Sequence, residues 1–424
     1  MRVVHISTSD ISGGASRAAF QLHQGLRRLG YDSSMFVAFR HSDDANVFSF
    51  RPPMNFRSRF QRRMRRERIA RDLNRYRKNR PSGYEAFSDD RSQHGGSILE
   101  QIPTSDVINL HWVAGFVDYQ SFFQDIPTNI PVIWTLHDMN PFTGGCHYDH
   151  GCGGYRQSCG ACSQLGSTDP KDLSFQIWHR KHRVFSYFSE RLYIVAPSDW
   201  LAAEARASSL FQFASIATIP NGVDIDNFAP RDMKFARQVL GIPQKSEVVL
   251  FVADSIDNRR KGFSLLMHAL QRLRNRGRLF LLSVGNRHSS IEVNVPYLHL
   301  GFLNNDRLLS LAYSAADVFV IPSLQDNLPN TVLESLACGT PVVGFSVGGI
   351  PDMVRPGVTG QLVSPGDVEM LSEAIAQILD NPQKRRSMAE NCRRIAVEEY
   401  SIERQARQYL QIYEQAIDHV HALS

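Results

Sequence analysis

The chain has 424 residues, 42% hydrophobic and 21% charged, with a formal net charge of +5. That length exceeds one ordinary core and predicts two domains, and the composition excludes a disordered chain. No apolar run approaches the roughly 20 residues of a membrane-spanning helix, and Met1-Arg2-Val3-Val4-His5-Ile6 turns polar too soon for a secretory leader, so a cytoplasmic protein is expected.

In chain order, residues 2–7 read as a strand, followed by a turn with Gly13 and Gly14. A helical period over 17–29 stops at Gly30, a favourable residue for a helix end. Strands are expected at 34–39, 107–111, 132–136, 193–196 and 215–219. The alternation is cleaner in the second half, with strands at 248–253, 279–284, 297–300, 318–321 and 342–345 and helices at 263–273, 306–315, 330–338 and 368–379. A last amphipathic helix spans 402–420. Such alternation implies an α/β protein with parallel sheets covered on both faces. The turn-rich Ile219-Pro220-Asn221-Gly222-Val223-Asp224 places the boundary between domains 1–220 and 221–400.

Charge is unevenly spread. A dense run of Arg and Lys from Arg51 to Arg80 is opposed only by Glu67 and Asp72, and Phe56, Phe60, Met64, Ile69, Leu73 and Tyr76 are interleaved in it. This suits a basic amphipathic helix on an anionic membrane surface, and equally a solvated helix with a core-facing stripe. Nucleic acid is not expected, because no reader motif accompanies the patch.

Residues 317–349 read DVFVIPSLQDNLPNTVLESLACGTPVVGFSVGG. A strand runs into a loop carrying Asp326, a helix beginning near Pro329-Asn330-Thr331 carries Glu334, and Gly339-Thr340-Pro341 breaks that helix. A diphosphate suits such a helix N-terminus beyond the carboxyl ends of the strands, whereas carboxylates nearby suit hydroxyl groups. The segment resembles glycosyltransferase family 4, retaining enzymes of the GT-B fold, whose hallmark is two acidic residues separated by seven others. Asp326 and Glu334 have that spacing, with Asp where the family usually has Glu. The resemblance implies two Rossmann-like domains facing across a cleft, the helix at 402–420 packing back on the first.

By the same resemblance Asp326 contacts the transferred sugar and Glu334 the nucleoside ribose, with Asn327, Leu328 and Thr331 lining the donor site. In Asn258-Arg259-Arg260-Lys261-Gly262-Phe263, Lys261 falls where the family sets a lysine against the diphosphate. The family's earlier arginine is replaced by Asp254-Ser255, leaving Arg259 or Arg260 to supply that charge. Gly13 and Gly14 correspond to a loop that closes over the ligand. His137, in Trp134-Thr135-Leu136-His137-Asp138, corresponds to a histidine touching the sugar, with a satisfied strand-end histidine as the plainer alternative. Asn109, His111 and Ser198 are further candidates for the acceptor side, and Gly348-Gly349-Ile350-Pro351 resembles a loop near the donor. No G-x-G-x-x-G occurs, against a nicotinamide site.

Four of the six cysteines, Cys146, Cys152, Cys159 and Cys162, share one stretch after His137. In a cytosolic protein this pattern favours metal or redox chemistry, and four thiolates are candidate ligands for a structural zinc.

The implied activity is retaining transfer from a nucleoside diphosphate sugar to a saccharide, lipid-linked in view of the basic segment, in assembly of cell-surface polysaccharide such as lipopolysaccharide. Lys261 supplies the charge a catalytic metal supplies elsewhere, so no cofactor is required. Peripheral association with the inner membrane face is expected. Two rivals remain open: a nucleotide-sugar epimerase, and a non-catalytic nucleotide-sugar-binding partner of another transferase.

Overall fold

The computed structural model describes residues 1–81, 83–286 and 295–423, which divide into two compact units, Met1–Pro220 with the C-terminal segment from Gln405, and Asn221–Arg404. In the first unit the chain runs β1 (Arg2–Ser9), α1 (Gly14–Arg28), β2 (Asp32–Phe39), β3 (Val47–Ser49), α2 (Phe56–Asn74), β4 (Val107–Leu110), α3 (Tyr119–Asp125), β5 (Val132–Thr135), α4 (Leu173–Phe188), β6 (Leu192–Ala196), α5 (Asp199–Ala207) and β7 (Ser215–Thr218). The second contains α6 (Met233–Leu240), β8 (Glu247–Ser255), α7 (Phe263–Arg272), β9 (Leu279–Asn286), β10 (Tyr297–His299), α8 (Asp306–Ala315), β11 (Val318–Ile321), α9 (Asn330–Ala337), β12 (Val342–Phe345), α10 (Ile350–Met353), β13 (Gly360–Val363), α11 (Val368–Asp380) and α12 (Pro382–Glu399), and α13 (Ile402–Leu423) returns to the first.

Each unit is a parallel sheet, β3-β2-β1-β4-β5-β6-β7 and β10-β9-β8-β11-β12-β13. In each the strand order reverses between two neighbours, β1 and β4 in one and β8 and β11 in the other, and the crevice beyond their carboxyl ends is where such sheets hold ligands.

Alternate strand residues feed different cores, as the two-residue strand period requires. In the first unit Val4, Ile6, Ile108 and Trp134 join one apolar cluster, while Val3, Val107 and Ile133 meet Leu22 and Leu26 of α1 and Ala406, Tyr409 and Tyr413 of α13 on the other face. The closing helix is therefore part of the first core. Asn109 donates from Nδ2 to the Tyr413 hydroxyl at 2.7 Å and accepts from Thr135 at 3.0 Å, and Thr135 also meets the Tyr409 hydroxyl at 3.0 Å. Asn109, expected on the acceptor side, instead fastens α13 to the sheet. Ser198 likewise caps α5, its Oγ accepting from the Leu201 amide at 3.1 Å.

The basic segment forms α2, in which no residue is buried. Its carboxyl end is anchored, with Leu73 and, just past the helix, Tyr76 packed near Phe87, Leu165 and Ile177 and Asp72 on Arg91 at 2.9 Å, and at mid-helix Arg65 lies 3.7 Å from Asp118. Phe56, Phe60 and Met64, four residues apart on another face, are 86%, 56% and 50% exposed. The core-facing alternative holds for Leu73 and Tyr76 and not for these three. Among the described residues no helix is long and apolar enough to cross a membrane.

Candidate functional site

In the second unit the loops after β8 and β11 meet at the point where the strand order reverses. Gly262, with φ +72°, joins the turn Arg259–Lys261 to α7, and a Cβ there would lie 1.8 Å from the Pro322 carbonyl oxygen. Only glycine lets the loop carrying Lys261 close on the end of β11. The Leu324 amide donates to the Arg260 carbonyl at 2.8 Å, and the Arg260 guanidinium donates to the Gln325 carbonyl at 2.5 Å.

Asp326 lies in this junction, 6% exposed. Its Oδ2 accepts from Lys261 Nζ at 2.6 Å and from Ser323 Oγ at 3.2 Å, and its Oδ1 lies 3.3 Å from Arg260 Nη1. Burial alone would raise the carboxyl pKa, but the two cations overcome it and hold it at about 2. Asp326 is thus ionised and clamps both cations, while Arg259 faces solvent. Of the two arginines considered for the missing early charge, Arg260 is the one at the carboxylate.

The next loop is packed on Asp326 from behind. Gly348 has φ +52°, and a Cβ on it would lie 1.7 Å from the Asp326 carbonyl oxygen. The Gly349 amide donates to the carbonyls of Asn327 at 2.8 Å and Asp326 at 3.3 Å. Asn327 is buried, and the Leu328 side chain belongs to the apolar core, so any contribution of Leu328 to a ligand is made by its main chain. Asn330 accepts from Asn221 Nδ2 at 3.1 Å, and Thr331, half-buried, sits in the first turn of α9. That helix starts after Pro329, and its N-cap makes no side-chain hydrogen bond to the first turn. Glu334 is not the solvent-facing residue of an ordinary surface helix. It is 4% exposed, and the Tyr313 hydroxyl donates to its Oε2 at 2.9 Å.

In the first unit the turn after β1 is braced by buried Asp10, a residue that no motif marks. Its carboxylate accepts from the amides of Ile11, His41 and Ser42 at 2.8–3.1 Å. Gly13, with φ +86°, precedes α1, and among the described residues a Cβ on Gly13 or Gly14 would meet nothing within 4 Å.

His137, half-buried just past β5, shares an imidazole contact with His111 (Nε2 to Nδ1, 3.0 Å), and His111 Nε2 lies 2.9 Å from Nδ1 of His5. Burial pushes His137 down to about 4 and His5 and His111 well below the ordinary value, so all three are neutral near pH 7. The neighbouring Asp138 accepts from Trp112 Nε1 at 2.9 Å, from the Asn140 amide at 2.8 Å and from His147 Nδ1 at 2.6 Å. Burial opposes protonation of His147, but the Asp138 carboxylate outweighs it and raises the pKa. Fully buried Lys181 donates to the Asn140 and Thr143 carbonyls at 2.5 and 3.1 Å, stiffening the loop below His137.

Cys146, Cys152, Cys159 and Cys162 are free thiols, and the Gly144 amide donates to Cys159 Sγ at 3.1 Å. Among the described residues no group of three His, Cys, Asp or Glu side chains able to hold a metal ion is found, although the four thiols lie near enough that, beyond the effect of burial, Cys159, Cys162 and Cys152 each raise the Cys146 pKa.

Residues 12–227 match the family model Glycosyltransferase Family 4, and residues 232–395 match Glycosyl transferases group 1. Over 268 residues the chain is 30% identical to MMP alpha-(1->4)-mannosyltransferase of Mycolicibacterium hassiacum, covering 58% of this chain and 62% of that one. The chain thus spans less than two thirds of that relative's length. Sucrose-phosphate synthase from Thermosynechococcus elongatus matches with a TM-score of 0.67 and 20% identity over 100% of both chains. Anabaena Alr3699/HepE, solved with UDP and glucose, matches with a TM-score of 0.64 and 17% identity over 98% of this chain and 99% of that one. At these identities the two structural likenesses concern the fold.

Proposed function

Because the chain belongs to Glycosyltransferase Family 4, we propose that it transfers a sugar from a nucleoside diphosphate sugar to a saccharide acceptor with retention at the anomeric carbon. The observation that carries this reading is the cluster of Lys261, Arg260 and Asp326 at the strand-order reversal of the second unit, next to the uncapped start of α9. Two cations held by one ionised carboxylate beside a helix N-terminus suit a diphosphate. The Anabaena neighbour, with UDP and glucose bound, supports a donor of this class.

Lys261 has three donor protons and gives one to Asp326, which leaves two for phosphate oxygens. Its charge stabilises the leaving diphosphate as the glycosidic bond breaks, and the departing phosphate takes the proton of the incoming hydroxyl. Glu334, fixed by Tyr313, accepts from ribose hydroxyls, and His137 meets the transferred sugar. No metal has a step in this scheme, and chelator leaves the rate unchanged if it is right.

The acceptor is lipid-linked on this reading, because the Phe56, Phe60 and Met64 stripe lies among Arg57, Arg59, Arg63, Arg68 and Arg71, a combination that suits an anionic bilayer surface. Assembly of cell-surface polysaccharide at the inner membrane face is the role that this reading proposes.

Calorimetric titration with a panel of nucleoside diphosphate sugars, on the parent and on Lys261→Ala and Glu334→Ala, tests the donor site. One donor should bind the parent and bind both variants at least tenfold more weakly. Turnover of that donor without any acceptor would favour an epimerase, and binding without transfer to any acceptor would favour a non-catalytic partner. Binding unaffected by both substitutions overturns the assignment of the site.

A further inference from the structure

The three imidazoles of the first unit stand where its strand order reverses: His5 within β1, His111 just after β4 and His137 just after β5. Their contacts run in one direction, His5 Nδ1 to His111 Nε2 at 2.9 Å and His111 Nδ1 to His137 Nε2 at 3.0 Å. A neutral imidazole has one N–H, so His111 donates through one nitrogen and accepts through the other. Its two tautomers each dictate those of its neighbours. Either all three rings carry the proton on Nδ1, with donation running from His5 toward His137, or all three carry it on Nε2, with donation running the other way.

The inner end of the row favours one of them. Among the described residues His5 Nε2 is buried without a hydrogen-bond partner, and the nearby ring of His23 in α1, 6.2 Å away between centroids, is itself bonded through Nδ1 to Ser33 at 2.8 Å. The Nε2-protonated row would leave a buried N–H unpaired there, whereas the Nδ1-protonated row leaves only a lone pair, and orphaned buried N–H groups are the rarer of the two defects. The geometry points to His5 and His111 as positioning residues that hold His137 in its Nδ1-protonated tautomer, so that it meets the sugar as a hydrogen-bond donor and not as a base. The inference rests on the reading of His137 as a sugar contact, and it assigns a task to His5, which no part of the transfer scheme otherwise uses.

Long-range proton–nitrogen correlation spectra of the full chain labelled with 15N-histidine read each tautomer directly, whether or not a transfer reaction has been found. His5, His111 and His137 should all be protonated on Nδ1. His111→Leu should release His137 into a tautomer mixture and lower kcat about tenfold with the donor KM changed less than about twofold. His111→Gln, whose amide can still donate to His137 Nε2, should restore the tautomer and most of kcat. His137 found protonated on Nε2 in the parent overturns the inference. So does a His137 tautomer unchanged in His111→Leu. Correct tautomers in a chain that transfers no sugar would leave the row intact and remove the proposed activity instead.

Discussion

Lys261 Nζ lies 2.6 Å from Oδ2 of Asp326. The two residues expected at opposite ends of a donor, one at the diphosphate and one at the sugar, are each other's partner, and Asp326 also holds Arg260. Removing the Lys261 charge by Lys261→Ala should lower kcat by about 10²–10³, the range for loss of one preorganised stabiliser of developing charge, and initial rates at saturating donor measure it.

Asp326→Asn keeps the shape and removes the charge that gathers the cations. The folded pKa of about 2 lies below the ordinary 3.8, so ionisation favours the folded state. The resulting contribution, about 2 kcal/mol, is fully present above the unfolded pKa and disappears as pH falls from about 4 to about 2. Urea midpoints of parent and variant should differ most between pH 5 and 7 and draw together toward pH 3.

Tyr313→Phe removes the hydroxyl that donates to buried Glu334 while keeping the ring in the core. A lost hydrogen bond to a ligand-orienting carboxylate should raise the donor KM about five- to tenfold and leave kcat within about twofold. An equal fall in kcat would place Glu334 nearer the reacting atoms than the ribose.

Gly348→Ala puts a Cβ where the Asp326 carbonyl stands and forces a left-handed residue to carry it. Destabilisation of about 2 kcal/mol or more is expected in denaturant melts, accompanied by weaker donor binding. Gly14→Ala, which among the described residues meets nothing within 4 Å, should leave the melt nearly unchanged.

Replacing Phe56 and Phe60 together by Ser touches no core, since both are exposed. Melting should stay constant, while sedimentation with anionic vesicles at low salt should show binding weakened about tenfold or more. Equal binding of parent and variant would remove the membrane from the proposed function.

Much of the scaffold was legible in the amino-acid order because it is local. The strands at 318–321 and 342–345 and the helix at 306–315 appear with the expected bounds, since short buried runs between turn residues carry their own signal. The strand Val47–Ser49, only 3 residues long and two-thirds exposed, and the polar helix Pro382–Glu399 carried too weak a period to be read. The spacing of Asp326 and Glu334, and Lys261 before a glycine, likewise mark a candidate donor site in the amino-acid order itself.

Sequence by itself determined the alternation of strands and helices, the acidic pair and the lysine, because each depends on residues a few positions apart. Only the tertiary structure decided their partners. Lys261 and Asp326 are 65 positions apart, His5 and His111 106, and Asn109 and Tyr413 304. No periodicity spans such distances. Those pairs form because parallel strands return to one end of a sheet and bring their following loops into hydrogen-bonding range.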